Sequence, residues 1–173
     1  MRKLSAESHN KLDTSEIPFT SDAIGPVSAG RLLALDLGAK RVGVAVSDEM
    51  RITANPLPAI ERRSWKDLLR RVADVIESYD ARGLVIGLPL SLDGAEGTAA
   101  QDARATAAKF ERSLHLPVYL QDERLTTLTA TAQLKEAGRN AREVKEQVDS
   151  ESASVILGDF MALSAQARSS SQE

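Results

Sequence analysis

A carboxylate stands where an aliphatic strand leaves it little room. Leu32-Leu33-Ala34-Leu35 runs directly into Asp36 and Leu37, and a second aliphatic run, Val42-Gly43-Val44-Ala45-Val46, begins a few residues later. Two runs of strand length joined by a short Gly-containing link read as an antiparallel hairpin, with strands at about 31–37 and 41–47. An ionised group on a mostly buried strand costs several kcal/mol unless it is paired, hydrogen-bonded or bound to a metal. Asp is also a poor strand former. A chain that keeps Asp36 at this position therefore uses it, and the remaining sequence can be searched for its partners.

The hairpin is followed by a third short strand around Leu57–Glu61, after Asn55-Pro56. Ser64 opens a helix with Asp67 three residues on, and Leu68, Leu69, Val72, Val75, Ile76 and Tyr79 supply its inward stripe. Gly83-Leu84-Val85-Ile86-Gly87-Leu88 lacks alternation, which predicts a strand covered on both faces. Thr98 and Gln101 form a capping-box pattern ahead of a helix with Ala103, Ala107, Phe110 and Leu114 inward. Pro117-Val118-Tyr119-Leu120 makes a fifth strand, and a helix from about Thr126 or Thr127 ends at Gly138. Residues 139–147 are charged and weakly periodic, a loop or a frayed helix entry. The last helix carries Val148, Ser152, Val155, Ile156, Phe160 and Leu163 to about Ala167. Three strands in a meander followed by right-handed crossovers give an α/β domain with a mixed five-stranded sheet and helices on both faces.

The 173 residues suit one domain at 30–168. Residues 1–29, polar and with seven Ser or Thr, read as a flexible extension, and 169–173 as a flexible tail. The chain has no Cys, which excludes disulfides, iron–sulfur clusters and Cys-type zinc sites. No secretory or membrane-spanning pattern is present, so a cytoplasmic location is expected. A net charge of −3 gives no general attraction to nucleic acid. Polyanion binding then requires a local basic patch or cations that neutralise acidic side chains.

Two further acids fit beside Asp36. Glu123 lies where the fifth strand ends, the position at which ligands gather on such sheets. Asp149 shares a helical face with Ala153, Ile156 and Phe160. One acid on an early strand, one at a later strand end and one on the final helix can converge over the carboxyl edge of the central strands. Oxygen ligands alone suit Mg²⁺ or Mn²⁺. Two such ions ~3.5–4 Å apart can activate water and stabilise the leaving oxygen in phosphodiester cleavage. Asp36 would then bridge both ions, with Glu123 and Asp149 each completing one side.

Four blocks now stand in order. They are Asp36-Leu37-Gly38-Ala39-Lys40-Arg41-Val42-Gly43-Val44-Ala45; Gly87-Leu88-Pro89-Leu90 with Asp93-Gly94; Asp122-Glu123-Arg124-Leu125-Thr126-Thr127; and Val148-Asp149-Ser150 before an apolar helix. Together they resemble the YqgF/RuvX family of bacterial pre-16S rRNA nucleases, also described as Holliday-junction-resolvase-like, which have an RNase H-like fold. The resemblance covers about residues 31–163 and implies a divalent-metal-dependent nuclease that processes the 5′ end of 16S rRNA. Asp36, Glu123 and Asp149 fall on the family's acidic positions. In other RNase H-like enzymes an acid often follows the fourth strand, where this chain has Asp93; whether Asp93 joins the site or makes the Asp93-Gly94 turn stays open, with the turn favoured.

Lys40, Arg41 and Arg124 are candidates for nucleic-acid phosphate contact, with Arg139, Arg142 and Lys145 behind them. Arg41 and Arg124 rank first because they flank proposed metal ligands. Aromatic residues are only 3%, so reading of single-stranded bases by stacking is not expected, and shape and backbone recognition is. The catalytic residues do not distinguish precursor RNA, on its own or in ribosomal particles, from a four-way DNA junction, and symmetric junction cutting requires a two-fold dimer. Monomer and homodimer both stay open. Two other classes compete: an actin-like nucleotide hydrolase, which shares the Asp-x-Gly hairpin but needs a second domain, and a non-catalytic nucleic-acid-binding module.

Overall fold

The computed structural model describes residues 29–124 and 141–170, with the side chains of the last helix from Ser150 onward. The hairpin is present as β1 (Arg31–Leu37) and β2 (Arg41–Ser47), joined by a tight link. Gly38 is required in that link, because a Cβ there would lie 2.5 Å from the Arg41 carbonyl oxygen. β3 (Ala54–Glu61) completes the meander and starts earlier than the Asn55-Pro56 pair suggests. It carries Pro56 and Pro58 because it is an edge strand, where a missing N–H costs no ladder bond.

The remaining elements are α1 (Trp65–Tyr79), β4 (Ala81–Leu88), α2 (Thr98–Leu114), β5 (Val118–Asp122) and α3 (Ala141–Ser170). The strands lie in the order β3-β2-β1-β4-β5. β1 pairs antiparallel with β2, β2 antiparallel with β3, and β4 runs parallel to both β1 and β5. This is the mixed five-stranded sheet, an antiparallel meander extended by parallel strands, that the sequence predicts.

Alternation along β1 divides the core. Leu33 and Leu35 point to the layer of α1 and α2, where Leu68, Val72, Ala103, Ala107 and Phe110 are buried. Leu32 and Ala34 point to the layer of α3, against Ala153, Ile156, Leu157, Phe160 and Met161. With both faces covered, the central strands read as continuous apolar runs.

The helix ends follow the sequence unevenly. Ser64 caps α1 as expected, its Oγ accepting the Asp67 N–H at 3.2 Å. Ser64→Ala should cost about 1 kcal/mol, measured by urea unfolding, with no change in the slope of the transition. The capping box expected at Thr98 and Gln101 does not form: Gly97 is the N-cap, without a side-chain bond, and Thr98 is already helical.

α3 starts at Ala141, so residues 141–147 are helix and not loop. Its buried stripe is Ala153, Ile156, Leu157, Phe160, Met161 and Ser164, while Leu163 is 51% exposed and Ser152 and Val155 are half-buried. The helix is thus turned relative to the Val148–Leu163 stripe, and small residues, Ala153 and Ser164, let it lie close on the sheet. The Ser150 hydroxyl fixes its near end by donating to the Leu57 carbonyl of β3 at 2.6 Å. The expected helix at 126–138 and the extension at 1–28 lie outside the described residues. Among the described residues no helix is long and apolar enough to cross a membrane.

Candidate active site

Asp36 is the penultimate residue of β1, in phase with Leu32 and Ala34, which places it on the α3 side of the sheet. It faces Gly43 on β2, and one step beyond the last β1–β4 pair, Leu35↔Ile86, brings Gly87 beside it. Neither neighbour has a side chain, and the half-buried carboxylate lies at the carboxyl end of the two central strands.

Glu123 follows β5 immediately, its N–H donating to the Leu88 carbonyl at 3.2 Å. Its side chain turns back over β4. A Cβ on Gly87 would overlap the Glu123 carboxylate and come within 2.7 Å of both Glu123 Cδ and Ile156 Cδ1. Glu123 therefore occupies the space a side chain at position 87 would fill, beneath Ile156 of α3. Burial there pushes its pKa from the ordinary 4.5 up to about 7, helped by the negative charge of Asp36 and then of Asp122. The two acids that sequence reasoning paired across more than eighty residues thus act on one another electrostatically.

Asp122 behaves differently. Burial works to raise its pKa, but the Arg124 guanidinium and backbone N–H, at 2.7 and 3.0 Å, outweigh burial and hold it below the usual range. Arg124 is thus engaged by a neighbouring acid, and its guanidinium also reaches the loop at Gly94. Asp93 makes the turn read from the sequence, its carboxylate accepting the Ala95 N–H at 3.0 Å. Lys40 is exposed on the β1–β2 link. Arg41, opposite Glu61 on β3, directs its charge toward that acid. Asp149 belongs to α3 one turn ahead of Ala153, but its side chain lies outside the described residues, as do Arg139 and the side chains of Arg142 and Lys145.

Among the described residues no three His, Cys, Asp or Glu side chains gather into a metal-holding group. Asp36 and Glu123 nonetheless fit a hard divalent cation. Both offer oxygen only, their charges oppose one another, and no described Lys or Arg is ion-paired with Glu123. Sequence reasoning overlooked Gly87, although a Gly near the end of a covered strand signals close approach by another group. Gly87→Ala should expel the Glu123 carboxylate and return its pKa toward 4.5, as followed by carboxyl ¹³C NMR. A stability loss of about 1–2 kcal/mol should accompany it through overpacking.

The family model described as "RuvX: Holliday junction resolvase" matches residues 30–163. This chain belongs to the RuvX family. It is 42% identical over 131 residues to a relative from an Anaeromyxobacter species, which covers 76% of this chain and 96% of that one. A Maridesulfovibrio salexigens relative is 40% identical over 132 residues, covering 76% and 98%. Both carry the name "Putative pre-16S rRNA nuclease". Solved structures similar to this RuvX chain include Thermus thermophilus RuvC in complex with a Holliday junction substrate, at TM-score 0.47 and 14% identity over 77% of this chain and 96% of that one. The yeast mitochondrial Holliday junction resolvase Ydc2 gives TM-score 0.48 at 10% identity, covering 87% and 88%.

Proposed function

We propose that this RuvX chain is a divalent-metal-dependent nuclease of the cytoplasm that processes the 5′ end of 16S rRNA precursors, free or in ribosomal particles. The observation that carries the proposal is the Asp36–Glu123 pair, two mutually repelling carboxylates at the carboxyl edge of β1 and β4, with Glu123 raised to about pKa 7. Such a pair is costly unless a cation joins it. The names carried by relatives at about 40% identity supply the substrate.

In this reading Asp36, Glu123 and Asp149 would together hold the cations. Mg²⁺ or Mn²⁺ bound there would supply an activated water and charge stabilisation for phosphodiester hydrolysis. The chain does the rest. Gly87 leaves the space that the Glu123 carboxylate occupies, and Ile156 packs against it. Lys40, Arg41 and Arg124 face the phosphates of the substrate, Arg124 exchanging its Asp122 partner for phosphate oxygens.

A second reading, cleavage of four-way DNA junctions, is favoured by the description of the matching family. One experiment separates the two. With Mn²⁺ or Mg²⁺, a 5′-extended 16S rRNA precursor and a four-way DNA junction are offered side by side to the wild-type chain and to an Asp36→Asn control. Metal-dependent cleavage of the RNA alone is expected. Symmetric cutting of the junction alone would replace this reading with recombination and require a homodimer. Failure to cut either substrate under conditions where Mn²⁺ binds would leave a binding module.

A further inference from the structure

The geometry points to a phosphate subsite, assigned by neither motif nor family, in the cleft between the start of α1 and the middle of α2. The inference rests on the nuclease reading and extends it: the cleft would hold a backbone phosphate of the substrate strand a few nucleotides from the cleaved bond. Its volume is about 90 Å³, enough for one phosphate group.

Arg62, Ser64, Trp65, Asp102, Thr106 and Lys109 line it. The Arg62 guanidinium is held in place by Asp102 at 2.7 Å and by the Gly38 carbonyl at 3.3 Å. Lys109 places its ammonium 5.6 Å from the centre of the Trp65 ring, and that ring is fixed by Phe110 at 4.8 Å. Two cations against one acid leave the cleft positive. The first turn of α1 adds donors: the Asp67 and Leu68 N–H groups are taken by Ser64, while those of Trp65 and Lys66 have no acceptor among the described residues.

Thr106 supplies the independent observation. It is only 4% exposed, it lines the cleft, and its hydroxyl has no hydrogen-bond partner among the described residues. Its oxygen opens onto the cleft and not into the core, so an oxyanion seated there would accept from it. The position of the cleft indicates which anion. Arg62 bonds Gly38, two residues past Asp36, so the cleft and the carboxylates share one edge of the sheet, on opposite faces of the β1–β2 link. A strand crossing that link passes from the acidic pair to the cleft.

The test uses the full chain in EDTA, so that binding is read without turnover, with a single-stranded RNA oligonucleotide as probe. Lys109→Gln should weaken binding about three- to tenfold and flatten the plot of log K against log salt by about 0.7, the loss of one phosphate contact. Thr106→Val should weaken it too, with a melting temperature unchanged or higher because no internal hydrogen bond is lost. Arg82→Gln, at the far end of β4 where it pairs with Asp80, should change neither.

Inorganic phosphate should shift the Trp65 indole and Thr106 amide NMR signals in the wild type and not in Lys109→Gln. Phosphate shifts with unaltered RNA binding in the variants would make the cleft a site for free phosphate and overturn the strand assignment. No phosphate shift and no change in affinity would reduce it to a packing seam. A wild-type chain that binds neither RNA nor DNA would overturn the nuclease reading as well, whereas intact binding that ignores Lys109 and Thr106 overturns the subsite alone.

Discussion

Asp36→Asn should reduce metal-dependent cleavage by about a thousand-fold or more while leaving the fold intact. Asn keeps the size of Asp and loses its charge, so packing beside Gly43 and Gly87 is unchanged. What disappears is an anionic oxygen that would help hold the cations, and groups that act as a unit lose most of their effect when one member is removed. A second readout does not depend on activity. Asp36 is the largest charge contribution raising the Glu123 pKa, after burial, so in the variant that pKa should fall below 7 without returning fully to 4.5. Carboxyl ¹³C NMR of Glu123 measures it. Cleavage within tenfold of wild type would remove Asp36 from the chemistry, and an unmoved Glu123 would remove the coupling between the two acids.

The sheet was legible because its signals are repetitive. Covered strands of Leu, Val and Ile, bounded by Gly and Pro, leave few alternatives, and the order of strands and helices then limits the topology. The elements that slipped depend on contacts distant in sequence. α3 was misphased in part: Ile156 and Phe160 are buried as expected, whereas Val155 is half-buried and Leu163 exposed. The sheet selects Ala153, Leu157, Met161 and Ser164, whose small or flexible side chains permit close approach. Thr98 and Gln101 match a capping box, yet the isolated pairing of Leu90 with Glu96 delivers the chain in an extended conformation at Gly97, which becomes the cap instead.

The site divides along the same line. Asp36 is conspicuous because a lone acid in an aliphatic strand contradicts its surroundings, and such local contradictions mark functional positions. Glu123 was legible only as a strand-end acid. Nothing in Gln121-Asp122-Glu123-Arg124 says which acid turns inward: Asp122 is claimed by Arg124, and Glu123 enters the space that Gly87 vacates. Thr106 gave no signal at all, since its unpartnered hydroxyl exists only once α1 and α2 have been brought together.

Glu123 should make the metal-free chain lose stability as pH rises. Its pKa is about 7 in the fold against an ordinary 4.5, which stands for the unfolded chain. Below about pH 4.5 the carboxyl is protonated in both states, and the fold bears no penalty. Between 4.5 and 7 the unfolded chain releases the proton while the folded chain retains it, so stability falls across that window and levels off above it. Full burial would make the loss about 3 kcal/mol; partial solvent access reduces it to about 2 kcal/mol. Glu123→Gln should abolish this slope and leave the metal-free protein more stable than wild type at pH 8, at the expense of cleavage. Mn²⁺ should oppose the slope in the wild type, since cation and proton compete for the same oxygens, and should have little effect on the variant. Urea unfolding at pH 5 and pH 8, with and without Mn²⁺, measures all four conditions. A wild-type chain equally stable at both pH values without metal would show that Glu123 is solvated, and the acidic pair would then lack the strain that a cation relieves.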